Sequence, residues 1–598
     1  MSPLSRRSVI LGAVAALAAA GLGSSAAVAQ TAAEYPMVIR YNVKVAMRDG
    51  VRLSADVYRP KGEGARPAIF ELTPYNNNSA TSMADAWQFV KRGYAFVTVD
   101  VRGRYDSDGE FAPFSHDGKD GAAVMSWIAA QAWSNGKVAT MGGSYLGKVQ
   151  WEMAKERHQA HSAIVSYVSP ADDWHDGTRF NGVPKLDLMY TWMMGMDGRV
   201  RQASAGWNWG QVMRGLPLST LSTGVGREVS YWRLAMEHDR LDEYWQPLQM
   251  RDRYGSFDIP SFNVTGWYEG QLRGQIQNYA GVAKADPAKH MLVVGPWLHG
   301  VNRNRVVGER DGGPDAIIDL NGLRDRWLDA RMLGATPPEL PNVLYFLPVK
   351  NEWRTAAAWP IPGTEFTKFY LESGGKSNTL LGDGVLRRDR PGAGPADRFS
   401  YDPANPVPSV TSRTAGARGG LPNGAVDHRA VETRSDVLVY TSEPLAAGVE
   451  VTGPVSAVIY LATDVEDTDV AVKLLDVAPD GRSLNIAEGI ARAKYRNSYS
   501  APEPVVPGKV FPLAIELFPT STYFEAGHRI RIEVAGSDFP NFGRNLNTMN
   551  SETGTEIRVA HDRIEHTAVF PSHIVVPIVP AGSTQAWRGM SPRAGRDR

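Results

Sequence analysis

The chain runs to 598 residues, 43% apolar and 21% charged, and at roughly 150 residues per domain it has room for three or four packed domains. Lys+Arg and Asp+Glu each total 64, so the charge balance points to neither nucleic acid nor an anionic membrane as a partner. Cysteine is absent, which excludes disulfides and a thiol nucleophile.

Ser5-Arg6-Arg7-Ser8-Val9-Ile10-Leu11, an apolar run to Leu22 and the small-residue site Ala27-Val28-Ala29 read as a twin-arginine export signal cut after Ala29. The apolar run is short of the ~20 residues a membrane span needs. The mature protein is therefore expected in the periplasm or outside the cell, with no membrane attachment. Residues 43–57 then alternate on either side of Asp49-Gly50, a hairpin signature. An apolar strand at 67–72 ends in Thr73-Pro74-Tyr75, a helical pattern at 83–92 stops at Gly93, and 95–101 is again apolar and β-prone. A helix is expected over 121–132, and strand rhythm resumes at 164–168. Continuous apolar strands alternating with helices predict a mostly parallel sheet covered on both faces.

Between the last two strands lies Val138-Ala139-Thr140-Met141-Gly142-Gly143-Ser144-Tyr145-Leu146-Gly147. A short strand, two glycines, a serine and a helix-forming segment make the elbow that lifts a nucleophilic hydroxyl clear of a sheet. The strict G-x-S-x-G pattern is broken by Leu146, with Gly147 one residue late. The N–H of Tyr145, at the start of the helix, is aimed where an oxyanion beside Ser144 would form.

Over 171–257 the texture changes. Trp174, Trp192, Trp207, Trp209, Trp232 and Trp245 sit among methionines at helical spacing, predicting an inserted helical cap. Such tryptophans either pack a core or line an acyl pocket, Trp174 among them. Strands return at 261–265 and 291–294, and a helix is expected to end near Leu333. The first strand runs into Gly266-Trp267-Tyr268-Glu269-Gly270, the second into Gly295-Pro296-Trp297-Leu298-His299-Gly300. Serine, acid and histidine thus follow in α/β-hydrolase order, each beyond a strand end, as a base-activated serine requires.

Beyond about residue 360 the pattern is all β. Residues 529–534 alternate polar and apolar, predicting a half-buried strand, and similar runs stand at 455–461, 470–477 and 574–579. Many short strands without helices predict a β-sandwich or jelly roll. The Gly/Pro-rich stretch 387–427 is expected to be mobile or to wrap over another domain. His158-x-x-His161 reads as a solvated helix face, and Asp464, Asp467 and Asp469 lack an EF-hand spacing, so no metal is expected. No phosphate loop or dinucleotide fingerprint is present, and no cofactor is expected.

Gly-Gly-Ser-Tyr-Leu-Gly at 142–147, Gly-Trp-Tyr-Glu at 266–269 and Gly-Pro-Trp-Leu-His at 295–299 resemble the triad motifs of the X-prolyl dipeptidyl-peptidase/cocaine esterase (CocE/NonD) family. Thr73-Pro74-Tyr75 resembles its oxyanion motif and Asp100-Val101-Arg102-Gly103-Arg104 a turn after an early strand. Segments 436–444, 451–454, 537–540 and 544–547 resemble its jelly-roll domain, so the likeness spans about 40–580. It implies an α/β-hydrolase (35–170 and 258–360), a helical cap (171–257) and a jelly roll (361–585). It further implies Ser144 as nucleophile, His299 as base, Glu269 as orienting acid, and Tyr75 with the Tyr145 N–H as oxyanion hole. The family usually has Asp where Glu269 stands, which leaves Asp258 or another nearby acid as the alternative.

Relatives acting on α-amino acid esters carry extra acids after the triad acid. Gln271, Leu272 and Arg273 follow here, favouring a neutral or anionic acyl group, with Arg273 a candidate carboxylate partner and Trp267 and Tyr268 candidate substrate residues. Asp172, Asp173 and Asp176 remain a possible source of negative charge from the cap. The expected function is an exported serine hydrolase cleaving small-molecule carboxylic esters, or amides, through an acyl-enzyme. The alternatives are an X-Pro dipeptidyl-peptidase or β-lactam/glutaryl acylase on the same scaffold and, from another class, a non-catalytic carbohydrate-binding protein.

Overall fold

The computed structural model describes residues 37–203, 207–221, 223–413 and 420–587, so the export signal read at 1–29 lies outside the described residues. Among those described, no helix is long and apolar enough to cross a membrane.

Strands β1 (Met37–Ala46) and β2 (Arg52–Pro60) pair antiparallel around Asp49-Gly50, where Gly50 takes φ 86°. The chain then alternates through β3 (Arg66–Thr73), α1 (Ala80–Lys91), β4 (Ala95–Asp100), α2 (Asp117–Ala129), β5 (Ser134–Gly143), α3 (Tyr145–Lys155) and β6 (His161–Tyr167). Helix α2 begins four residues before its apolar pattern does, with Asp117 and Asp120 in its first turn, where acids favour the helix dipole. Strands Ser261–Gly266, His290–Gly295, Val343–Leu347 and Glu352–Ala356 complete the sheet. Its spatial order is β1-β2-β4-β3-β5-β6 followed by those four in turn, and Gln585–Ala586 closes the far edge.

Every pairing from β4 across to Val343–Leu347 is parallel. Side-chain alternation sends Ile69 and Phe96 to one packed face and their neighbours Phe70 and Val97 to the other. That is why these strands read as unbroken apolar runs. The order reverses between β3 and β5, and the carboxyl ends of strands at such a switch point form the crevice where open sheets place sites.

Residues 171–257 are less helical than their spacing predicts. A π-helical turn, Leu186–Tyr190, runs into α4 (Thr191–Met196), and a helix Ser230–Glu237 follows among single 3-10 turns. Buried polar groups replace helical hydrogen bonds here: Asp176 accepts the N–H groups of Ala171 and Asp172, and Arg179 donates to the Ala235 carbonyl. The aromatic residues form one core, with Trp174, Trp209, Trp232 and Trp245 inside it.

From Glu365–Glu372 to His573–Val579 the described strands pair antiparallel, except that Val385–Arg387 runs parallel to Val437–Ser442. Ile459, Val472, Leu474, Ile532 and Ile574 meet in its core, giving the β-sandwich. The strand Arg529–Ala535 is buried on both faces rather than one. Its polar face is covered: Arg531 pairs with Glu432 at 2.7 Å, and Glu533 with His428 at 3.1 Å.

Candidate active site

Strand β5 carries Gly142 and Gly143 to the sheet edge, and α3 starts at Tyr145. Ser144 between them holds φ 60° and ψ −118°, a region L-residues rarely occupy. Its N–H donates to the Tyr167 carbonyl at 2.9 Å, and its own carbonyl accepts the Lys148 N–H at 3.0 Å, the first helical bond. A Cβ on Gly142 would lie 2.4 Å from the Leu146 Cβ, and one on Gly147 would lie 2.8 Å from the Ser169 Cβ and the Tyr167 carbonyl oxygen. The departure from the strict elbow pattern thus has a steric reason. Leu146 fills the space Gly142 leaves, while Gly147 lets α3 pass the end of β6.

Strands Ser261–Gly266 and His290–Gly295 run in parallel register with Gly266 opposite Gly295, so their loops leave side by side. The loops are laced together by Trp267 N–H to Gly295 O at 2.9 Å and Tyr268 N–H to Trp297 O at 3.1 Å. This brings His299 Nδ1 to 3.2 Å from Glu269 Oε2. Glu269 is fully buried, and its carboxylate is held by the Thr265 hydroxyl at 2.7 Å and the Gln271 N–H at 2.7 Å. Asp258, the alternative acid, is exposed and paired with Lys289.

Tyr75 follows β3 and accepts a hydrogen bond from Trp192 Nε1 at 3.1 Å. Burial raises its phenol above the usual value, against opposing hydrogen bonds with Trp192 and Ser144. The Tyr145 ring stands edge-on to Tyr75, 6.4 Å between centroids, and its hydroxyl donates to buried Asp117. That hydroxyl also accepts the Phe114 N–H at 3.2 Å. Burial pushes the Tyr145 phenol well above its ordinary range and the Asp117 carboxyl up to about 7. Tyr75, Ser144, Tyr145 and His299 line one cavity of about 400 Å³, walled by Leu188, Met189, Trp192 and Met196. That size and lining suit a small, largely apolar ligand.

Four expected substrate residues lie elsewhere. Trp174 is fully buried against Trp245, Tyr495 and the Arg179 guanidinium. Trp267 is also buried, its indole donating to the Phe346 carbonyl at 2.8 Å. Tyr268 faces a separate recess beside Pro296 and Arg310. Arg273 is taken up by Asn181 Oδ1 at 2.7 Å, the His175 carbonyl at 3.2 Å and Glu516. The cavity wall instead includes Asp173, Gln271, Arg201 and Arg413. Arg413 arrives from the stretch 387–427, which does reach across: it donates to the Trp267 carbonyl at 2.7 Å. No local signal marks that contact. Trp192 carried one only as one of the tryptophans at helical spacing in 171–257, since its phenol partner Tyr75 lies far away in the chain.

His158 and His161 are not a solvated helix face. His161 begins β6, buried against the Thr140 hydroxyl at 2.9 Å, and burial pulls it down to about 3. Asp467 and Asp469 are engaged by Arg492 and Asn545, and no group of three potential metal ligands occurs among the described residues.

Residues 49–301 match the X-Pro dipeptidyl-peptidase (S15 family) domain, and residues 338–575 match the X-Pro dipeptidyl-peptidase C-terminal non-catalytic domain. A cocaine esterase from Rhodococcus sp. is 34% identical over 571 residues, covering 90% of this chain and 98% of that protein. Among solved structures, an aminopeptidase from the marine sediment archaeon Thaumarchaeota archaeon superposes with a TM-score of 0.80 at 26% identity, over 91% of this chain and 97% of its own. An α-amino acid ester hydrolase shares the fold with a TM-score of 0.78 at 24% identity and the same coverage.

Proposed function

The chain belongs to the X-Pro dipeptidyl-peptidase (S15) family and is a serine hydrolase; from that premise we propose that it cleaves carboxylic esters through an acyl-enzyme on a Ser144–His299–Glu269 triad. One observation carries this reading: a serine held at φ 60° shares a cavity with a histidine anchored by a buried glutamate. A carboxylate on Nδ1 selects the tautomer in which Nδ1 bears the proton, leaving Nε2 to act as base. As Oγ attacks the ester carbon, Nε2 takes the serine proton. The oxyanion accepts from the Tyr75 hydroxyl and the Tyr145 N–H, which as the first N–H of α3 has no partner within the helix. Collapse expels the alcohol with the proton from Nε2. Water then attacks the acyl group, His299 takes its proton, and the acid leaves as Ser144 is restored. The 34% identity to a protein named as an esterase supports the same class.

A peptidase reading is favoured by the family's name and by the likeness to an aminopeptidase. Rates on para-nitrophenyl butanoate and on alanyl-prolyl para-nitroanilide, alongside fluorophosphonate labelling, separate the two. We expect fast ester cleavage, slow or absent anilide cleavage, and labelling lost in Ser144→Ala. Cleavage of the anilide alone would overturn the ester assignment. We also propose twin-arginine export with cleavage after Ala29. Terminal sequencing of the periplasmic protein should begin at Gln30, and Arg6→Lys with Arg7→Lys should hold the chain in the cytoplasm.

A further inference from the structure

Ester cleavage at Ser144, the reading on which any acyl selectivity rests, leaves the charge of the preferred acyl group open. Among the described residues, Asp173 is the one acidic residue lining the cavity, with its side chain almost wholly buried in the wall. Alone, a carboxylate there would draw a substrate ammonium. It is not alone. Lys148, fully buried on α3 and one turn beyond Ser144, sets its Nζ 3.0 Å from Asp173 Oδ2. The same ammonium donates to the Ala171 carbonyl at 3.0 Å and the Leu248 carbonyl at 3.1 Å, so it is tethered on several sides. Glu152, 3.4 Å away, is shared with Lys155. Burial pulls the Lys148 pKa down, but Asp173 and Glu152 outweigh it and hold it above the ordinary lysine value.

The neighbouring acids offer no replacement. Asp172 accepts the Met250 N–H at 2.6 Å and pairs with Arg251, and Asp176 accepts the Ala171 N–H at 2.8 Å. Behind the wall Lys185 donates to the Asp176 and Gly270 carbonyls and to Gln271. The remaining wall charges are Arg201 and Arg413, the latter paired with Glu488. The cavity therefore presents a field that is neutral to positive.

We infer that Lys148 is the specificity-determining residue for acyl charge: by cancelling Asp173 it makes the pocket reject acyl groups bearing an ammonium and accept uncharged ones. The test uses two para-nitrophenyl esters of equal shape, one ending in a trimethylammonium and one in a tert-butyl group. In the wild type, kcat/KM for the uncharged ester should exceed that for the cationic one by about 10-fold or more. Lys148→Met should raise the cationic-to-neutral ratio by about 10-fold, and adding Asp173→Asn should bring it back down. Lys148→Met strands the buried Asp173 carboxylate, while Glu152 keeps Lys155, and can cost the fold. Two measurements avoid that. Asp173→Asn alone should lower the ratio further, and on the wild type an alkylboronate should inhibit at least about 10-fold more tightly than its trimethylammonio isostere. Equal kcat/KM for both esters in the wild type, or a ratio unmoved in folded Lys148→Met, overturns the inference while ester cleavage itself stands. Failure to cleave either ester, with no labelling of Ser144, overturns the ester reading and this inference with it.

Discussion

A serine hydroxyl attacks an ester only when a base removes its proton and a donor pair receives the oxyanion, so each proposed residue has its own kinetic signature. Ser144→Ala and His299→Ala should each lower kcat by about 10⁴–10⁶. Tyr75→Phe removes one oxyanion donor and should cost about 10²–10³ in kcat with KM little changed. An unimpaired Tyr75→Phe enzyme would sink that role. Glu269→Gln keeps the side-chain size but loses the charge that selects the histidine tautomer, and a fall of about 10³–10⁴ is expected. Glu269→Asp draws the carboxylate back from His299, whose Nδ1 now lies 3.2 Å away, and should cost about 10-fold, less than the loss of charge. Steady-state kinetics on one aryl ester orders all five variants. Glu269→Asp falling as far as Glu269→Gln would mean that position, not charge, is what matters there.

At the scale of the element, the elbow is a packing problem solved by two glycines. An alanine methyl at 142 would meet the Leu146 Cβ at 2.4 Å on a backbone already at φ 143°. Gly136, at φ 84°, has nothing within 4 Å of an added Cβ. Gly136→Ala should therefore cost only backbone strain, about 1 kcal/mol, whereas Gly142→Ala should cost about 3 kcal/mol by overpacking and shift the nucleophile. Denaturant melts and ester turnover check both, and equal destabilisation would refute the steric account. The helix α3 that follows shows how one element serves several ends. It begins at the serine, offers the Tyr145 N–H, and carries Lys148 to Asp173 a turn later.

Across the whole molecule, the segment after α3 is tied to the β-sandwich by buried charge. Arg179 reaches Glu552 at 3.2 Å, and Arg492 bridges Glu552 and Asp469. Burial raises the Glu552 pKa, yet Lys494, Arg492 and Arg179 outweigh it and hold it at about 2, below its ordinary 4.5. A carboxylate depressed in the fold stabilises it above the unfolded pKa and loses that contribution as pH falls from about 4.5 towards 2. Glu552→Gln should thus destabilise the protein by about 3–5 kcal/mol near neutrality and flatten the acid limb of its stability–pH curve. Chemical denaturation at several pH values measures both; parallel curves for wild type and variant would contradict it.

Much of this architecture was legible in the chain. Gly-Gly-Ser after an apolar run, and Glu269 and His299 each just past a strand, depend on backbone preferences and periodicity that act over a few residues. The hairpin at Asp49-Gly50 and the alternating β and α segments were readable for the same reason. What lines the cavity was not. Trp174, Trp267 and Arg273 look like ligand residues by type but are consumed by packing and pairing, while Arg413 and the Lys148–Asp173 pair bear on the site through contacts between distant segments. The sequence alone determined that a serine, a glutamate and a histidine stand just past the ends of three strands. Only tertiary folding decided which charges survive unpaired at the cavity, because burial and long-range pairing set a side chain's field and neither is written in its neighbours.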